Sequence, residues 1–291
     1  ADTPVVMKKS RVIDPQNYGV ILLRGALFVM ENSVIAGAGT HAIEAVTGNG
    51  AGESDIDAQI RSSTIVGGSD PTDAAIRVSI SGSFGSKSAD ITVTNSILRG
   101  FTSTWDMVTP AGPGIGHGSL TFTRSDLNPA GTPVDSPVVN FSDPGNINVD
   151  PMFTSATDFH LVPGSPAIDA GDPAEIGIND DYDGTVRPLD GNGDGSRIID
   201  MGAFEAADVG LARTHGFALT VHEARQIDWL AALPPGPPIE VHLKMNTGMN
   251  RLGFPADCCV AAAARLAALP AVGSVTWMTH FAQADAAPGV A

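Results

Sequence analysis

A chain of 291 residues with 43% hydrophobic content has enough apolar material to build a core, which excludes wholesale disorder. Its 16 Lys/Arg stand against 32 Asp/Glu, and a net charge of −16 disfavours nucleic acid and anionic membranes, whose phosphates need clustered cations. No apolar run reaches the roughly 20 residues that span a bilayer.

The chain changes character between Met201 and Gly216. Residues 1–205 hold 11 of the 16 Lys/Arg and 26 of the 32 Asp/Glu, so a charge of −15 lies before the seam and −1 after it. Short β-type segments and Gly/Asp/Asn/Ser turns precede it; Ala/Leu-rich segments alternating with short strands follow. We therefore expect three parts: residues 1–205, a junction at 206–212, and residues 213–291.

In the first part, four segments superimpose: Phe28–Gly37, Ala58–Gly67, Ile91–Gly100 and Leu120–Pro129. They share Ser33, Ser63, Ser96 and Ser125, at steps of 30, 33 and 29 residues. Apolar residues recur at fixed offsets from each serine: Phe28/Met30/Ile35, Ala58/Ile60/Ile65, Ile91/Val93/Leu98 and Leu120/Phe122/Leu127. The two before the serine alternate as a strand does, and the polar pair then reads as a corner before the inward face resumes. Strand, corner and strand in each repeat predict a parallel β-solenoid whose rungs bury one continuous apolar column. Loops at 47–54, 67–74 and 109–118 are expected to protrude. An antiparallel sandwich is the rival for regularly spaced short strands.

Four motifs close this part in order: Asp150-Pro-Met-Phe153, Asp158–Gly171, Asp190–Gly195 and Asp200–Glu205. The series resembles the choice-of-anchor Q domain, over about residues 20–205. The resemblance implies a right-handed parallel β-helix on an exported or surface-displayed bacterial protein, with no catalytic residues to carry over.

Asp190, Asn192 and Asp194, followed by Gly195, match the first half of an oxygen-ligand calcium loop. Position twelve, where a bidentate Glu belongs, is Met201, which leaves Asp200 or Glu205 as substitutes. The same residues also make metal-free turns. Asp70, Asp73, Asp90 and Asp106 offer carboxylates for polysaccharide chemistry, but their spacing singles out no acid/base pair. His41, His117 and His160 are isolated and read as packing or surface residues.

After the seam, Phe217–His222 reads as a strand and Glu223–Leu233 as a helix with Ala224, Ile227, Leu230 and Ala231 on one face. The prolines of 234–238 impose a loop, Ile239–Met245 a strand follows, and Ala256–Leu269 is a helix stopped by Pro270. Val275–His280 is a third strand. This alternation implies parallel βα units: a partial (β/α) barrel of three strands and two helices. Cys258 and Cys259 are adjacent, so they lack zinc spacing and read as ordinary thiols.

Lys244-Met-Asn-Thr-Gly-Met-Asn-Arg-Leu-Gly-Phe254 and Met278-Thr-His-Phe-Ala282 resemble bacterial alanine racemase, over about residues 208–291. That family places such motifs at strand ends of a (β/α)₈ barrel that binds pyridoxal phosphate. By resemblance, Lys244 matches the lysine that becomes carbamylated, Arg251 the arginine it directs at the cofactor's phenolic oxygen, and His280 the histidine packed on the pyridine ring. A permanently charged planar fork suits that arginine. The family's Schiff-base lysine motif has no match here, and the only tyrosines, Tyr18 and Tyr182, lie before the seam. No catalytic residue is therefore assigned.

Three readings follow. The first is a secreted or surface β-helix scaffold carrying a catalytically incomplete racemase-like segment. The second is an alanine racemase using pyridoxal phosphate. The third is a polysaccharide-binding or -cleaving β-helix. The compartments implied by the two halves conflict, export for the first and cytoplasm for the second. Three strands cannot close a barrel, so open parallel edges are expected to favour self-association.

Overall fold

The computed structural model describes residues 3–23, 25–47, 55–68, 74–80, 88–108, 117–127, 138–140, 144–175, 177–192, 196–206, 212–213, 216–233, 235–248 and 252–280. The chain divides into two compact units. One comprises Ala1–Leu161, Ser165–Leu189 and Ser196–Ala206; the other comprises Val162–Gly164, Asp190–Gly195 and Ala207–Ala291.

The first unit is a parallel β-solenoid. Its first rung is β1 (Val5–Lys8), β2 (Arg11–Ile13) and β3 (Val20–Leu23); its second is β4 (Leu27–Glu31), β5 (Val34–Ala38) and β6 (Ile43–Thr47). The third is β7 (Ile56–Arg61), β8 (Thr64–Gly67) and β9 (Ala74–Ile80), and the fourth is β10 (Ser88–Thr94), β11 (Ile97–Arg99) and β12 (Ser103–Val108). β13 (His117–Thr123), β14 (Asp126–Leu127) and β15 (Val138–Asn140) complete the stack. Three parallel sheets result: β1-β4-β7-β10-β13-β15, β2-β5-β8-β11-β14 and β3-β6-β9-β12.

The repeat offsets become vertical columns. Met30, Ile60, Val93 and Phe122 are register partners down the first sheet, as are Phe28, Ala58, Ile91 and Leu120. Ile35, Ile65, Leu98 and Leu127 do the same in the second sheet. All twelve are buried and belong to one core. Each rung has three strands rather than the two expected. The third sheet adds the column Leu22, Ala45, Val78 and Met107. Its strands share little sequence, so they do not announce themselves as a repeat.

The shared serines turn the corner. Lys9, Asn32, Ser62, Asn95 and Arg124 take left-handed backbone with φ of 44–50° immediately before each turn's serine. Asn pays less for this conformation than most residues, which accounts for its use at two of the five corners. Behind them runs a hydroxyl ladder. The Ser33, Ser63 and Ser96 N–H groups donate to the Ser63, Ser96 and Ser125 hydroxyls at 3.3, 3.2 and 3.1 Å. Each hydroxyl in turn donates to the carbonyl two residues back, from Ser33 to Glu31 through Ser125 to Thr123. At the last step Asn146 Oδ1 takes the serine's place, accepting from Ser125 N–H at 2.9 Å.

The described first-unit part of the segment from Asp150 to Ala206 forms almost no regular structure. It lies along the outer face of the second sheet as a strap. Phe159, Ala203 and Phe204 pack on Val34 and Ala36, while Leu161, Ile168 and Met201 pack on Ile97. That covering explains why Val34-Ile-Ala36 is buried at three consecutive residues, on both faces of its strand. The corner residues grip the strap. Lys9 pairs with Asp180 at 2.7 Å, Asn32 donates to the Asp180 carbonyl, and Asn95 Oδ1 accepts from Asp172 N–H. Gly202 has φ +99°, and a Cβ there would meet Ile97 and Thr64 at 2.9 Å, so close approach of strap to sheet requires glycine.

The second unit holds β16 (Leu219–Val221), α1 (Ala224–Ala232), β17 (Ile239–Met245), α2 (Ala256–Ala267) and β18 (Val272–Thr279). The strands are parallel in the order β16-β17-β18, as the βα alternation predicts. Gln226 Oε1 accepts from the N–H groups of His222 and Glu223 at 2.7 and 3.3 Å and so starts α1. Both helices lie over one sheet face, closing a core of Val221, Ile227, Leu230, Val241, Leu243, Cys259, Ala262 and Leu266. Ala224 and Ala231, expected on that helical face, are exposed; Trp229 and Leu233 pack there instead, because they reach the core and alanine does not. Among the described residues, no helix is long and apolar enough to cross a membrane.

Candidate functional site

Lys244 lies at the C-terminal end of β17, half-buried, and His280 directly follows β18, exposed. The two ends of the motif between Lys244 and Phe254 are hydrogen-bonded to each other. Phe254 N–H donates to the Lys244 carbonyl and Asn246 N–H to the Phe254 carbonyl, both at 2.9 Å. Gly248 and Gly253 take φ of +114° and +118°, and a Cβ on Gly253 would meet Asn246 N at 2.9 Å and the Lys244 carbonyl at 3.0 Å. The glycines of this string therefore shape the loop. A threonine clasp joins the two strand ends. The Thr247 and Thr279 hydroxyls lie 2.6 Å apart, Thr247 donates to the His280 carbonyl, and Thr279 donates to the Met245 carbonyl. The structure thus brings the Lys244 and His280 positions to neighbouring strand ends. Arg251 lies outside the described residues.

A cavity of about 430 Å³ in this unit is lined by residues including His222, Phe254, Pro255, Cys258, Ala262 and Arg265. Neither Lys244 nor His280 lines it. The Cys258 thiol is pushed up by the hydrogen bond it donates to Asp257 and by that residue's charge, and burial pushes up Cys259. A raised thiol is the opposite of an activated nucleophile. Both cysteines are free.

Of the suggested calcium ligands, Asp190 is buried and Asn192 is exposed, while Asp194 lies outside the described residues. Both suggested substitute ligands are otherwise engaged. Asp200 accepts from the N–H groups of Asp169 at 2.8 Å and Ala206 at 2.6 Å. Glu205 accepts from Leu189 at 2.8 Å and Asp200 at 3.2 Å, and stands 3.1 Å from Arg187 Nε. Among the described residues, no group of three or more His, Cys, Asp or Glu is arranged to hold a metal ion.

Nor do the scattered carboxylates converge. Asp70 and Asp73 lie outside the described residues. Asp90 accepts from Ser88, and Asp106 stands 3.8 Å from Arg77, which also faces Glu44 at 3.9 Å. His41 is buried against Tyr18, with Nδ1 3.1 Å from the Ala74 carbonyl and Nε2 3.2 Å from Arg77. His160 lies between Asp158 and Asp183 and packs on Phe204. The His117 side chain lies outside the described residues.

Two buried charge clusters were not legible in advance. Burial raises the carboxyls of Asp200 and Glu205, the latter to about 7; the neighbouring Glu205 adds to the rise of Asp200, and Arg187 opposes both. Arg187 donates to the Gly202 carbonyl at 2.9 Å, so one guanidinium serves the strap's backbone and its acids together. Asp126 has no exposed surface, and burial pushes its carboxyl up to about 7 against the opposing charge of Arg99 at 3.4 Å. These acids bind N–H groups along the strap, a role with no fixed sequence spacing.

The alanine racemase N-terminal domain family matches residues 186–290. The alanine racemase of Paracidovorax citrulli is 49% identical over 97 residues, 33% of this chain and 26% of that protein. That of Thiobacillus denitrificans is 44% identical over 90 residues, covering 31% and 24% respectively. That of Polaromonas naphthalenivorans is 48% identical over 105 residues, covering 36% and 28%. The chain thus spans about a quarter of the length of the curated relatives it matches. No solved structure matches the chain. This likeness implies pyridoxal phosphate in the family; of the residues matched to it, Lys244 ends β17 half-buried and His280 follows β18 exposed to solvent. The similarity is one of sequence, and most of the matched residues lie in the second unit.

Proposed function

We propose that this chain is a β-solenoid scaffold, of the exported or surface-displayed kind, carrying a racemase-like segment that does not racemise alanine on its own. The observation that carries this reading is the lysine inventory. Cofactor chemistry of this type needs an amine nucleophile. Lys244 is the only lysine after the seam, and by resemblance it matches the carbamylated lysine rather than the Schiff-base one. The choice-of-anchor likeness of residues 20–205 supports the scaffold assignment. In this reading the strap completes the solenoid by covering its second sheet.

The test is covalent capture. The full chain is mixed with pyridoxal phosphate and reduced with borohydride, and its peptides are mapped by mass. We expect no stoichiometric adduct at Lys244. A stoichiometric adduct confined to Lys244 would overturn the reading and favour the alternative, an alanine racemase, which rests on the similarity across residues 186–290.

A further inference from the structure

We propose that the cleft between the strap and the second sheet is a binding site for a small apolar zwitterion, the chemistry of a hydrophobic α-amino acid. The cleft has a volume of about 490 Å³, within the range of small-molecule sites. Ala36 and Val66, on β5 and β8, form its floor, and Phe153 and Phe159 form its wall on the strap. The two rings meet edge-on with centroids 5.3 Å apart. A floor of small residues under an aromatic wall accepts an apolar side chain.

Two charges of opposite sign line the same cleft. Arg11 lies 5.6 Å over the Phe159 ring and donates from Nη2 to the Thr157 carbonyl at 2.7 Å. Those contacts hold the guanidinium against the wall and leave its other nitrogens for an anion. Asp14 follows β2 in left-handed backbone with φ of 48°, and its carboxylate lies over Gly37, where a Cβ would overlap Oδ1. Glycine at 37 therefore lets the carboxylate rest on the cleft floor. Among the described residues, Asp14's carboxylate accepts no hydrogen bond, and Arg11 and Asp14 pair neither with each other nor with another charge. A ligand with a carboxylate for Arg11 and an ammonium for Asp14 satisfies both at once. Net charge decides against a plain anion, because residues 1–205 carry −15, a field that repels acidic sugars and organic acids. Arg11 in turn disfavours a plain cation. A zwitterion escapes both penalties. The lining residues all lie in the first unit, so the site exists whether or not the chain racemises alanine.

Isothermal titration calorimetry on the full chain compares L-phenylalanine with N-acetyl-L-phenylalanine, which lacks the cation, and L-phenylalanine amide, which lacks the anion. The expected result is saturable binding of phenylalanine, about 10-fold tighter than of either derivative, as loss of one charged hydrogen bond requires. Asp14→Asn keeps a residue that tolerates left-handed backbone. It removes the preference over the N-acetyl compound and retains the preference over the amide. Arg11→Gln does the reverse. Failure to bind phenylalanine overturns the proposal, as does equal affinity for the three compounds or tighter binding of galacturonate. Variants that weaken all three compounds alike overturn it too, since that is what mere distortion of the cleft produces.

Discussion

Asp126 sits on β14 with no exposed surface, Arg99 at 3.4 Å, and one carboxylate oxygen without a hydrogen-bond partner. Burial holds its carboxyl near 7 instead of 3.8. The folded chain therefore keeps this proton in a range where the unfolded chain has lost it. The stability that follows is complete at pH below about 4, falls as pH rises toward about 7, and is flat beyond. Asp126→Asn keeps the shape and removes the titration. We expect it to raise unfolding stability at pH 8 by about 2 kcal/mol, a discounted share of a linkage worth about 1.4 kcal/mol per pKa unit. At pH 4 it brings no gain. Urea titrations at the two pH values check this, and an equal effect at both would refute the assignment. Arg187→Ala acts in the other direction. It leaves Asp200 and Glu205 buried without their cation, and we expect a loss of about 3–5 kcal/mol, readable as a lowered denaturation midpoint of the first unit.

The repeating corner is the element that organises the solenoid, and it was legible because it recurs. A serine at fixed offset from three inward apolar residues marks every rung from Ser33 to Ser125, and each serine extends the buried hydroxyl ladder. Ser96→Ala strands the buried Ser63 N–H group, and about 1–3 kcal/mol of stability should be lost. Thr92→Ala, on the solvent side of the same sheet, should cost less than about 0.5 kcal/mol. Equal effects in chemical denaturation would mean that the ladder is ornamental. The third sheet was not legible, since β6, β9 and β12 keep only inward alternation and share no marker residue. The strap was visible as four ordered motifs, yet its place on the second sheet was not. The clue was the unbroken apolar run after Ser33, Val34-Ile-Ala36, which a strand covered on both faces requires. In the second unit, alternation placed all five elements to within about three residues of their observed ends. That Lys244 and His280 fall at neighbouring strand ends was legible in the alternation of elements; the threonine clasp that joins those ends was not.

At the scale of the molecule, two units of different character share one chain. The first carries almost all the net charge and a core of stacked columns sealed by its strap. Residues 206–291 carry a charge of only −1, and both their helices lie over one face of their sheet. The buried acids and the pH response argued from them belong to the first unit. The alanine racemase N-terminal domain match covers residues 186–290, whose described strands form the parallel sheet β16-β17-β18. The measurement that bears most directly on this account is turnover. The purified 291-residue chain, supplied with pyridoxal phosphate and L-alanine, is assayed for D-alanine by chiral chromatography. We predict no D-alanine above the level formed by the free cofactor. Saturable formation that disappears in Lys244→Ala would contradict the account.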